Sequence, residues 1–235
     1  MNNHIGIAAV SPTGAALFYQ ALSKQAAAHA LRPDELRITF HNEPLDQYLS
    51  AINENDWNKV GLLLRRSAEL VARCGAKFCL SPDAAVQQAI QLAEQGSPIP
   101  WLSMTDIVAA AVAKDGRKKV GIIGTRLVME SSTFQIPLGV RGVHVVPPDE
   151  SDRVEIDRII FEELIKGTIT SKSMTYTTEL FAKLKYEHEC EAVILAGSET
   201  PLLITPDNKT LPVYDTASLL ATEAIQHANT MVSNT

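Results

Sequence analysis

Sulfur, aromatic rings and positive charge are all scarce in this chain, and each shortage removes a class of function. Cys74, Cys79 and Cys190 are the three cysteines in 235 residues, without Cys-x-x-Cys spacing. Neither a disulfide framework nor a thiolate metal site is indicated. The six histidines show no His-Glu-x-x-His or comparable spacing, so no metal is expected. Lys and Arg number 21 against 27 Asp and Glu, a formal net charge of −6. With no basic run, a nucleic-acid partner is not expected, and Lys118-Lys119 and Arg65-Arg66 read as solvated helix and loop ends. No apolar stretch reaches the roughly 20 residues that span a bilayer, and the N-terminus has no signal-peptide pattern. The expectation is a cytoplasmic protein with no membrane partner.

What is present is an ordinary globular composition, 46% apolar with twelve Gly and twelve Pro, long enough for one large domain or two small lobes. Short apolar runs alternate with helical patterns throughout. Strands are expected at His4 to Val10, Leu36 to His41, Ala76 to Leu80, Val120 to Ile123, Val143 to Val146 and Ala192 to Leu195, with a further short one at Leu211 to Tyr214. Helices are expected at Thr13 to Ala30, Asp56 to Cys74, Asp83 to Gly96, Trp101 to Lys114, Arg126 to Phe134, Val154 to Ile165, Thr175 to Tyr186 and Thr216 to Met231. This alternation predicts an α/β fold of mostly parallel sheets flanked by helices.

Two stretches stand out. Glu191 to Leu203 carries a buried-strand run that empties into Ala196, Gly197, Ser198, Glu199 and Thr200; Gly75 to Ala85 does the same into Ser81, Pro82, Asp83, Ala84 and Ala85. Gly6 and Gly121, in the runs His4 to Ser11 and Lys119 to Thr125, lie 115 positions apart, and Asp83 precedes Gly197 by 114. The spacing reads as a tandem duplication of two pseudo-symmetric lobes, residues 1–100 with 211–235 and residues 101–210. Strand-end loops are the usual ligand sites of open α/β sheets, which predicts an active-site cleft between the lobes. Ser11 and Asn42, at the ends of the first two strands, are expected at the same edge.

With these ends identified, the sequence resembles the cofactor-independent aspartate/glutamate racemase family. The resemblance covers nearly the whole chain, through Gly6 and Pro12, His41-Asn42-Glu43-Pro44, Gly75-Ala76, Ile99-Pro100, Lys119 to Thr125 with Met129, Val145-Val146-Pro147, and Ala192 to Leu195 with Glu199 and Pro201. It implies two similar α/β lobes, no cofactor, a small carboxylic or amino acid as ligand, and a homodimer. It also implies a pair of cysteines, one per lobe, that exchange the α-proton across two faces. The first belongs in a Pro-Cys-Asn-Thr-Ala-His-like turn, matched here by Pro82 to Gln87, and its position carries Asp83. The second belongs in Gly-Cys-Thr-Glu, matched by Ala196 to Glu199, and its position carries Gly197.

Asp83 and Ser198 are therefore the candidate catalytic groups. Ser11, Asn42, Ala84, Ala85, Thr125, Arg126, Gly197, Glu199 and Thr200 are the candidate ligand-binding residues. Asp83 also reads as a helix N-cap, Ser198 as a loop hydroxyl donating to a ligand or to backbone, and Arg126 as a solvated helix residue. A carboxylate is about four to five units less basic than a thiol, so it suits α-proton abstraction poorly unless burial raises its pKa. Three functions follow: one-sided acid/base chemistry of isomerase or lyase type on a small carboxylic or amino acid, a catalytically inactive binding protein, or an amino-acid racemase using non-cysteine groups.

Overall fold

A computed structural model describes residues 4–28, 36–204 and 210–233. The chain divides into two compact units, residues 1–104 with 217–235, and residues 105–216.

In the first unit, β1 (His4–Ala9) runs parallel between β2 (Arg37–Asn42) and β3 (Phe78–Leu80). The central strand is apolar almost throughout because both of its faces are covered, whereas β2 lies at the edge and stays half-exposed. Helices α1 (Pro12–Ala28), α2 (Leu45–Asn53), α3 (Trp57–Arg73) and α4 (Ile90–Glu94) belong to this unit. Val60, Leu63, Leu64, Ala68 and Val71 form the buried stripe of α3, and the Asp56 carboxylate caps its start by accepting from the Lys59 N–H at 3.0 Å. Gly6 lets α3 lie close on the sheet: a Cβ there would stand 2.5 Å from Val71 Cγ2 and 3.1 Å from the Phe78 carbonyl oxygen.

The second unit repeats the arrangement. Its central strand β4 (Lys119–Gly124) runs parallel between β5 (His144–Val146) and β6 (Ala192–Ala196), so the order β5-β4-β6 matches β2-β1-β3. Around it stand α5 (Met104–Lys114), α6 (Arg126–Glu130), α7 (Gln135–Val140), α8 (Glu150–Glu162) and α9 (Ser171–Tyr186). Gly121 meets Leu184 of α9 as Gly6 meets Val71 of α3, at 3.0 Å from a would-be Cβ to Leu184 Cδ1. The matching glycines thus mark equivalent helix-on-sheet contacts.

The duplication extends to a fourth position. Strand β7 (Val213–Asp215) pairs parallel to β6. In the first unit Trp101 bridges to Cys79 in the same sense, tied by Cys79 N–H to the Pro100 carbonyl at 2.8 Å and Leu102 N–H to the Cys79 carbonyl at 2.9 Å. In each unit the chain then departs: α5 follows the Trp101 bridge into the second unit, and most of α10 (Thr216–Ser233) returns to the first. There His227 meets Phe78 edge-on with ring centroids 4.8 Å apart.

Several expectations shift. The expected assignment of residues 211–235 to the first lobe is split, because β7 hydrogen-bonds to β6 and only residues 217–235 join the first unit. The expected helix from Asp83 to Gly96 is a 3₁₀ segment over Ala84–Ala89 followed by the short α4. The expected helix from Arg126 to Phe134 stops at Glu130, where the Ser131 hydroxyl bonds back to the Val128 carbonyl at 3.1 Å and competes with the next helical turn. Helix α2 has no counterpart among the expected elements.

Candidate functional site

At the carboxyl ends of the first unit's strands, the register sets Ile7 against Leu80 and Ala9 against Asn42. The segments leaving β1, β2 and β3 therefore emerge side by side. The Asp83 carboxylate closes them together: its Oδ2 accepts the Val10 N–H at 3.2 Å and the Ser11 N–H at 3.1 Å. Asn42 holds the other side of the same residue, its Nδ2 donating to the Val10 carbonyl at 3.4 Å. Ser11 in turn accepts the Gly14 N–H on its hydroxyl at 3.1 Å, capping α1. The N-cap reading of Asp83 is thereby corrected. Its backbone precedes a 3₁₀ segment, but its side chain makes no capping bond there and reaches the β1–α1 loop instead. Ala84 and Ala85 open that 3₁₀ segment, Ala84 buried and Ala85 half-buried.

Gln87 sets the turn that presents Asp83. Buried at the position of the resembled motif's final histidine, it donates from Nε2 to the carbonyls of Ser81 at 2.9 Å and Asp83 at 3.1 Å, and its Oε1 accepts the Met104 N–H at 3.3 Å. Beneath the turn, fully buried Tyr48 of α2 stands in the field of Glu43 and Asp83. Burial, before those charges, raises its phenol above the usual range, while the Ser67 hydroxyl, which approaches without closing a well-formed hydrogen bond, opposes the rise. Ser67 also contacts His41 Nδ1 at 3.0 Å. Sequence reasoning missed Gln87 and Tyr48. Gln87 matched only as a departure from the motif, and Tyr48 lies on the unexpected helix.

The strand ends of the second unit are arranged on a similar plan. The pairing of Gly124 with Ala196 puts Thr125 and Gly197 at neighbouring strand ends. The strands are close here, with a would-be Cβ on Gly124 only 2.6 Å from the Ala196 carbonyl oxygen. Thr200 ties the β6 turn, its hydroxyl donating to the Gly197 carbonyl at 2.7 Å. Ser198 and Thr200 are buried, Gly197 and Glu199 half-buried. The Thr125 hydroxyl is buried with no hydrogen-bond partner among the described residues. Arg126 is directed elsewhere: its Nε donates to Glu130 at 2.7 Å, a bond that raises the guanidinium's pKa, while its backbone N–H donates to Asp157 at 2.7 Å. The structure thus gathers Ser11, Asn42, Asp83, Ala84 and Ala85 in one unit and Thr125, Gly197, Ser198, Glu199 and Thr200 in the other, and pairs Arg126 with a surface carboxylate.

None of the three cysteines occupies either strand-end turn. Cys79 sits within β3 in the first unit's core, where burial pushes its pKa up to about 12. Cys190 belongs to the second unit's core and is likewise raised by burial, and Cys74 is exposed. Among the described residues no group of three or more His, Cys, Asp and Glu could hold a metal ion, and no helix is long and apolar enough to cross a membrane.

Known structures share this architecture. A proposed Asp/Glu racemase from Yersinia pestis superposes with a TM-score of 0.87 at 24% identity, covering 97% of this chain and 99% of that one. An aspartate racemase homologue from Pyrococcus horikoshii gives 0.86 at 24% identity over 97% and 99%. The aspartate racemase of Picrophilus torridus gives 0.75 at 19% identity over 97% and 94%. At these identities the likenesses establish the fold. Membership rests on the sequence-family match, which runs from residue 7 to residue 224: the chain belongs to the Asp/Glu/hydantoin racemase family.

Proposed function

We propose that this protein is a diverged enzyme of the racemase family that performs one-sided acid/base chemistry, of isomerase or lyase type, on a small carboxylic or amino acid without the two-cysteine mechanism. The observation that carries the reading is the Asp83 carboxylate, fixed at the strand ends by the Val10 and Ser11 amides at the position where the family places its first cysteine. A carboxylate held by backbone donors is oriented before any ligand arrives, which is what a proton-transferring or ammonium-binding group needs. Gly197 offers no side chain for proton return on a second face. Ser198, the neighbouring hydroxyl, is proposed to bind or protonate from the other half-site, with Thr125, Glu199 and Thr200 positioning the ligand, Ser11 and Asn42 shaping the Asp83 side, and Ala84 and Ala85 contributing backbone groups. Both half-sites are proposed to serve one ligand, in a cytoplasmic homodimer.

The test is α-proton exchange followed by NMR in heavy water, with L- and D-aspartate, glutamate and other small amino acids. Exchange with retained chirality is expected. Racemisation would restore the ordinary family activity, and binding without exchange of any substrate would leave a ligand-binding protein. Light scattering on the purified chain reads the oligomeric state.

A further inference from the structure

Each unit uses one carboxylate to hold the loop that leaves its central strand, but the two carboxylates come from different neighbours. In the first unit the second residue beyond β1, Ser11, gives its N–H to Asp83, which lies on the segment after β3. In the second unit the second residue beyond β4, Arg126, gives its N–H to the Asp157 carboxylate at 2.7 Å, and Asp157 lies on α8, which follows β5. The strand orders β2-β1-β3 and β5-β4-β6 make the β6 turn the counterpart of the Asp83 turn. That turn carries Gly197, which has no side chain to reach across, and the carboxylate arrives from the α8 side instead.

Helix α8 delivers it with two side chains one turn apart. Arg153 donates to the Pro148 carbonyl at 2.7 Å and to Glu130 of α6 at 3.2 Å, which ties α8 to α6 and to the segment after β5. Asp157, four residues on and on the same side of the helix, then meets the Arg126 N–H. An N–H bonded to a carboxylate at this distance is charge-assisted and stronger than a neutral pair.

The consequence falls on Thr125. A threonine at a helix boundary ordinarily turns its hydroxyl onto an N–H of the opening turn, as Ser11 does for α1 by accepting from Gly14 at 3.1 Å. Thr125 makes no such bond at the start of α6, and its buried hydroxyl has no hydrogen-bond partner among the described residues. Asp157 thus fixes the Thr125–Arg126 peptide without engaging the hydroxyl.

We propose that Asp157 is a positioning residue of the candidate site: it holds the loop after β4 as Asp83 holds the loop after β1, and so sets the Thr125 hydroxyl for the ligand. The inference rests on the proposed role of Thr125 in positioning that ligand.

Variants of the full chain test it, by α-proton exchange and calorimetric titration with the L and D forms of aspartate, glutamate and alanine, and by the ligand-free amide NMR spectrum. Asp157→Ala should move the Arg126 amide proton upfield. It should also raise KM for exchange, or Kd where binding is read, about tenfold with kcat within about twofold, the equivalent of one hydrogen bond lost from binding. Asp157→Asn, whose amide oxygen can still accept, should restore the wild-type constants. Glu130→Gln, which breaks exposed ion pairs of little worth and spares the Asp157 bond, should match the wild type. Because Asp157 acts through Thr125, adding Asp157→Ala to Thr125→Val should cost no further affinity, whereas a general loosening of the fold would add its own loss. An unmoved Arg126 amide or wild-type constants in Asp157→Ala, additive losses in the double variant, or a Glu130→Gln as weak as Asp157→Ala overturns the inference; with exchange intact in the wild type, the proposed chemistry still stands. Should none of the six compounds bind or exchange in the wild type, the proposed function fails, and the positioning role fails with it even where the Arg126 amide moves.

Discussion

Asp83 and Ser11, 72 positions apart in the chain, are joined by a 3.1 Å hydrogen bond from the Ser11 N–H to the Asp83 carboxylate, which also takes the Val10 N–H. Strand-end loops that are unrelated in sequence distance become one structure through this side chain. Asp83→Ala leaves two backbone donors without their acceptor. The expected loss is about 1–2 kcal/mol in urea denaturation, together with abolished turnover. Asp83→Asn, whose amide oxygen can still accept, should keep most of the stability and lose the activity. Unaltered turnover in either variant removes Asp83 from the chemistry.

Gln87 fixes the turn beneath it with three hydrogen bonds. Gln87→Ala should destabilise the protein by about 2 kcal/mol or more, because the Ser81 and Asp83 carbonyls and the Met104 N–H lose a buried partner together. Chemical denaturation measures it, and a change below the ordinary ±0.5 kcal/mol of surface substitutions refutes the assignment.

Restoring cysteines at positions 83 and 197 tests whether the scaffold still supports two-sided exchange. A Cβ on Gly197 would come within 3.1 Å of Thr200 Cγ2, so Gly197→Cys alone is crowded. Thr200→Ser removes that methyl and keeps the hydroxyl that bonds the Gly197 carbonyl. The triple variant D83C/G197C/T200S is expected to gain racemisation of a bound amino acid, read by chiral chromatography. The D83C/G197C pair alone should be less stable than the triple.

Thiol accessibility gives a prediction independent of substrate. With Cys79 buried and pushed up to about 12, Cys190 buried and raised, and Cys74 exposed, a thiol-reactive dye at pH 8 should label Cys74 rapidly and the other two only after denaturation. Fast labelling of Cys79 in the native protein contradicts its place in the core.

In the second unit, Glu163 shows how buried charge links stability to pH. Burial acts to raise its pKa but is outweighed by the Ser173 hydroxyl at 2.7 Å, the Thr170 N–H at 2.7 Å and Arg158 at 3.2 Å, so the net shift is downward. A depressed folded-state pKa contributes stability above the unfolded value of about 4.3, and that contribution fades as pH falls through and below it. The urea midpoint should drop on acidification from pH 6 toward pH 3. Glu163→Gln should flatten that drop, and an unchanged pH profile in the variant refutes the linkage.

The sequence made most of the layered α/β pattern legible because central parallel strands must be apolar on both faces, so β1, β4 and β6 advertise themselves as short runs with ends. The paired glycines at 6 and 121 carried the duplication for a physical reason as well: each gives a helix close approach to the sheet. Helix α2 was missed although Leu45, Tyr48, Leu49 and Ile52 recur at helical spacing after Pro44, and it brings Tyr48 into the first unit's core. The expected end of the first helix at Ala30 lies outside the described residues. Local composition also determined that neither strand-end turn carries a cysteine, since that is a matter of which residue occupies positions 83 and 197. What the Asp83 carboxylate touches and where Arg126 directs its charge were decided only by the tertiary structure. Hydrogen bonds between segments tens of residues apart depend on strand register and helix placement, which no local pattern encodes.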